Sequence, residues 1–100
     1  MKTVPLISSK DAKEAAVSAK HVVEIHYALT DFLCAGLSLP EIDAFVGTKL
    51  RDLKCKSAFH KYKIPAQPPF PSQSCISVND CVVHGTHIMP QSPLSAGDLI

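Results

Sequence analysis

From Ser9 to about Cys34, the small and apolar residues Ala12, Ala15, Ala16, Ala19, Val22, Val23, Leu29 and Leu33 recur at steps of three and four. That is the period of a helix with one apolar face. Asp11 followed by Glu14 reads as a start signal, and Gly36 supplies the left-handed conformation that commonly ends a helix. The predicted helix runs about six turns. A second helix opens at Ser38, whose hydroxyl can accept from an orphan amide while Glu41 reaches back, with Pro40 tolerated in the first turn. Ile42, Phe45, Val46, Leu50 and Leu53 then form one apolar stripe. Gly47 weakens this helix by about 1 kcal/mol relative to Ala, so packing of the stripe has to outweigh it. Both stripes are expected to form core against a sheet.

The helical period breaks down between Lys54 and Gln73, where Pro65, Pro68, Pro69 and Pro71 each remove an amide donor, so this segment reads as a surface loop. Ser74 to Asn79 alternates, Ile76 and Val78 opposing Cys75, Ser77 and Asn79, and Cys81 to His84 resumes an extended pattern after Asn79-Asp80. Two strands joined by a tight turn are predicted. Thr86 to Ala96, with Pro90 and Pro93, reads as another loop, and Gly97-Asp98-Leu99-Ile100 as the start of a third strand. No repeat or low-complexity tract divides the chain, so residues 1–100 read as a single domain, incomplete because the last strand pattern stops as it begins.

Composition narrows the function classes. With 46% hydrophobic and 19% charged residues the chain is too apolar for intrinsic disorder. A net charge of +1 gives no long-range field for phosphate backbones or anionic lipid, which argues against nucleic-acid and membrane partners. No stretch reaches the roughly 18 apolar residues of a membrane span, and Met1 to Lys10 lacks the layout of a secretory signal, so a cytoplasmic location is expected. Cys34, Cys55, Cys75 and Cys81 have no tight spacing and are expected as free thiols.

Candidate chemistry is sparse. His21 and His26 lie within the first helix without a carboxylate at a selecting spacing, and read as partly exposed helix histidines. Cys75, Cys81, His84 and His87 form the densest group of soft ligands. Only Cys81 with His84, or His84 with His87, approaches the spacing of a zinc knuckle, and no metal site is assigned. A thiolate nucleophile activated by His84 is disfavoured for Cys81, because residues three apart on an extended strand face opposite ways. Gly36, Gly47, Gly85 and Gly97 make neither a dinucleotide fingerprint nor a phosphate loop.

The run Phe70-Pro71-Ser72-Gln73-Ser74-Cys75-Ile76-Ser77-Val78-Asn79-Asp80-Cys81-Val82-Val83-His84-Gly85 closely resembles a signature of type I methionine aminopeptidases. Upstream, the first helix, Gly36 and the helix start Ser38-Leu39-Pro40-Glu41-Ile42-Asp43 follow the same order, and Gly97 to Ile100 looks like the strand after the hairpin. The resemblance covers nearly the whole chain. The departure is at Lys63 to Pro69, which resembles a short insertion, with Lys63 in place of the family's histidine after Tyr62.

The resemblance implies an α+β fold: the N-terminal half of a pita-bread domain, two helices followed by an antiparallel β-hairpin and the start of a third strand. It implies a metalloaminopeptidase that removes the initiator methionine from peptides or nascent proteins, with the ribosome as a further partner. Two divalent ions (cobalt, manganese, iron or zinc) would be held by two Asp, one His and two Glu. Those ligands are expected beyond Ile100, so the 100 residues alone are expected to hold no metal and to be inactive. By the same resemblance His84 contacts the scissile region of the substrate, while Cys75, Phe70 and Tyr62 line the methionine pocket. The rival reading is a truncated, non-catalytic relative that binds the ribosome or a nascent chain through an open strand edge.

Overall fold

Helix α1, Ser9–Phe32, starts one residue past Ser8, whose hydroxyl accepts from the Asp11 amide at 3.0 Å. The cap is thus Ser8 rather than the Asp11 pair. These positions belong to a computed structural model that describes residues 3–100. Helix α2, Leu39–Asp52, starts as its sequence predicts: Ser38 accepts from the Glu41 amide, and the Glu41 carboxylate accepts from the Ser38 amide. Pro40 sits in the first turn, where its missing donor leaves nothing unpaired.

The two helices meet where the Phe32 and Phe45 rings stack, centroids 4.0 Å apart. The core lies beside this contact: Leu39 and Ile42 of α2 pack with Ile76, Val78 and Leu94 from the C-terminal half, flanked by Leu29, Leu33 and Leu37. Gly36 has a positive φ of +95° and turns the chain after α1, so that its amide donates to the Leu94 carbonyl while the Leu94 amide donates to Leu37. These two bonds hold the segment carrying Leu94 on the helix pair.

The expected α+β fold, a half pita-bread domain with an antiparallel hairpin and a third strand, is corrected: among the described residues there are two helices and no β-strand. The chain does reverse at Asn79-Asp80, where the Cys81 amide donates to Val78 and Asn79 adopts φ +52°. Ile76 also donates across the reversal to the Gly85 carbonyl at 2.9 Å. A ladder does not follow, because side chains take the next bonds. The Gly85 amide donates to the Ser77 hydroxyl and the Leu99 amide to the Asn79 side chain, so local polar groups compete with strand pairing. His84, at φ +58°, also leaves the extended region that a strand needs. The supposed third strand is a turn, with Gly97 at φ +94° and the Asp98 amide donating to Ser95.

With no sheet among the described residues to cover it, the first half of α1 is bare. Ala12, Ala15, Ala16, Ala19, Val22 and Val23, expected as core, are exposed, and Ile25 is the one buried residue of this helix. No described helix is long and apolar enough to cross a membrane.

Candidate functional site

A carboxylate sits where the stripe of α2 should be apolar. Asp43 follows Ile42 on the core side of the helix and is only 6% exposed. Burying an ionised carboxylate is unfavourable by several kcal/mol unless hydrogen bonds replace its water. They do. Asp43 Oδ1 accepts from the Gln73 amide at 3.0 Å and from the amide and hydroxyl of Ser74 at 3.1 Å, and Oδ2 accepts from the Gln73 amide at 3.0 Å. One turn along α2, Gly47 leaves room for this loop, since a Cβ there would meet Gln73 Cγ at 3.2 Å.

Ser72, fully buried, and His87 complete the cluster. The Ser72 hydroxyl lies 2.7 Å from His87 Nδ1 and accepts from the His87 amide at 2.9 Å, while Asp43 Oδ2 lies 3.6 Å from the same Nδ1. The residue types are those of a serine hydrolase, but the geometry is not. Nucleophile and orienting carboxylate have to address opposite ring nitrogens, whereas here both face Nδ1. A hydroxyl with no exposed surface also reaches no substrate. The cluster is a structural clasp.

Beside the clasp runs an open, mainly apolar groove of about 710 Å³, bounded by Ile25, Leu29, Val46, Phe59, Cys75 and Ile76 among others. Burial pushes the Cys75 thiol up, which keeps it neutral and suits it to contact rather than nucleophilic attack. His21 and His26 also border the groove. His21 Nδ1 is buried without a hydrogen-bond partner, 3.7 Å from Glu24 one turn on, a carboxylate neighbour that the sequence reading passed over.

Of the four residues expected to touch substrate, Cys75 borders this groove and Tyr62, Phe70 and His84 do not. Tyr62 and Phe70 are brought together by the backbone: Phe70 donates to the Tyr62 carbonyl at 2.8 Å. Phe70 also packs at 5.9 Å between ring centroids against Phe59, which does border the groove. His84 is exposed, next to Gly85. Asp43, Ser72 and Gln73 were not singled out by the sequence; the available signal was an acidic residue beside Ile42 on the buried side of α2.

Comparison with protein-family models, curated proteins and solved structures finds no match to this chain. Among the described residues no three His, Cys, Asp or Glu side chains lie together as a metal-binding group. The two Asp, one His and two Glu that the resemblance implies are not brought together among the described residues.

Proposed function

We propose that this chain is part of a metal-dependent aminopeptidase that removes N-terminal methionine from peptides and nascent proteins in the cytoplasm, and that it contributes substrate contacts rather than the metal centre. The observation that supports the reading is that residues 73–77, within the Phe70–Gly85 run on which the resemblance rests, border the apolar groove. Asp43 anchors that run at Gln73 and Ser74, and Cys75, the next residue, borders the apolar groove. A neutral thiol beside Ile76 and Phe59 suits a flexible thioether side chain, which adapts to irregular apolar surfaces. His84, exposed, is free to donate to the reacting amide, a contact that aids turnover only if it strengthens in the transition state.

In this reading the metal ligands lie on chain beyond Ile100, and the ions would supply activated water. The rival reading, a non-catalytic module for ribosome or nascent chain, loses its physical basis in an open strand edge, because the described residues form no strand.

The test is methionine release from a Met-Ala-Ser peptide with added manganese or cobalt, comparing the 100-residue chain with one extended through its reading frame. Release by the extended protein alone is expected, and His84→Ala in that protein should lower kcat by about 100-fold. A stop codon directly after Ile100, or an extended protein that releases no methionine, would overturn the proposal. Release by the 100 residues themselves would overturn the assignment of the metal site to a later segment.

A further inference from the structure

We infer that Asp43 is a positioning residue for the groove, acting through the backbone of Gln73 to set where Cys75 and Phe59 stand. The inference takes the groove to be the substrate-facing surface proposed above.

Three separate contacts converge on Gln73. Its amide is held by both carboxylate oxygens of Asp43, and its side chain lies against the bare Cα of Gly47, four residues along the same helix face. Its carbonyl accepts from the Ser57 hydroxyl. That hydroxyl in turn accepts from the amides of Phe59 and His60, each at 3.0 Å. Gln73 is thus a junction. One side leads through Ser74 to Cys75, the other through Ser57 to Phe59, and both ends border the groove.

A residue needed only to fill the α2 stripe would be apolar, since a buried carboxylate stabilises nothing until its donors are in place. Asp43 spends all its hydrogen bonds on two consecutive amides and one hydroxyl of a segment 30 and 31 residues away in sequence. Ser72 extends the hold, because its hydroxyl pairs with both the ring and the amide of His87. The segment between Ser72 and Ser74 is therefore held from α2 on one side and from His87, in the turn closed by the Met89 amide on the Thr86 carbonyl, on the other. Cys75 is the next residue along and stands on the groove wall.

The test is site-resolved alkylation of the four cysteines by iodoacetamide, read by mass spectrometry, so that it does not depend on aminopeptidase activity. Asp43→Ala should speed modification of Cys75 by roughly tenfold, the scale of one lost hydrogen bond to a charged group, with exposed Cys34 unchanged. Leu94→Ala, a core truncation brought to the same global stability with denaturant, should leave the Cys75 rate near that of the parent. Asp43→Asn keeps one acceptor oxygen and should restore most of the protection. Equal Cys75 rates in Asp43→Ala and Leu94→Ala, or no rescue by Asn, would overturn the inference.

If Asp43→Ala fails to fold, Ser74→Ala removes the hydroxyl bond to Asp43 on the arm that leads to Cys75 and should speed Cys75 modification by a smaller factor; an unchanged rate there would also overturn it. Failure of the functional reading is seen separately. A clasp that behaves as expected in a protein whose extended form releases no methionine leaves the positioning role standing and removes the substrate.

Discussion

The first half of α1 and the segment from Ser72 to His87 are held in opposite ways. Residues 9–20 are all exposed and owe their conformation to local terms: the Ser8 cap, the alanines, and a Lys10–Glu14 contact at 4.0 Å. Residues 72–87 contain no regular element, yet they carry the buried Ser72, Ile76, Val78 and Gly85 and bond to α2 and to one another. Regular structure and tight structural constraint are therefore separate properties. The first half of α1 is regular and loosely attached; the irregular segment is where a single atom out of place matters.

The sharpest way to test that difference is Gly85→Ala. Gly85 is buried, and an added Cβ would overlap the Ile76 carbonyl oxygen. Something must move, and the Ile76 to Gly85 hydrogen bond is the nearest thing to break. We expect a loss of about 3 kcal/mol or more, among the larger effects a single substitution produces, read as a lowered denaturant midpoint. A variant as stable as the parent would show that the reversal is not fixed as described.

Ser8→Ala examines the other region. Loss of a serine cap removes about 1 kcal/mol of helix stability. Because residues 9–20 make no buried contact, that loss should appear as fraying: weaker helical circular dichroism before the transition, with little change in Tm. If the first half of α1 were coupled to the core, 1 kcal/mol would instead lower Tm by roughly 4–8 °C. That outcome would erase the contrast between the two regions.

The same contrast explains what could be read from the residues. The Ser38–Glu41 box and the Asn79-Asp80 reversal were legible because each depends on neighbours within four positions. Alternation at Ile76 and Val78 correctly marked two buried side chains, but a period of two says which side is covered and not what lies beside the backbone. The expected strands failed at that step, when Ser77 and Asn79 side chains took bonds that a ladder would have used. On α1 the stripe marked core correctly at Leu29 and Leu33 and misled from Ala12 to Val23, where the described residues form no sheet to receive it. Asp43 was the least legible, because its burial becomes reasonable only when Gln73 and Ser74 arrive from 30 residues away.

The smallest expected effect concerns pH. Asp98 joins the C-terminal turn to the chain reversal: its carboxylate accepts from the Ser95 amide at 2.8 Å and from the Asn79 side-chain amide at 3.1 Å. Those two donors, the Ser95 amide first, hold its pKa below the ordinary carboxylate value. A lowered pKa in the folded state means that the unfolded chain takes up the proton first as pH falls. The stabilisation is therefore fully present above the unfolded value near ~4 and is lost as pH drops through the lower folded value. Asp98 is open to solvent, so this contribution is slight and should shrink further in salt. Asp98→Asn should flatten that part of the acid limb in a stability-against-pH series while leaving Ser8→Ala and Gly85→Ala effects unchanged at neutral pH. An acid limb identical to the parent's would mean that the Asp98 carboxylate does not take these two bonds in solution, and that the C-terminal turn is tied to the chain reversal by the Leu99 to Asn79 bonds instead.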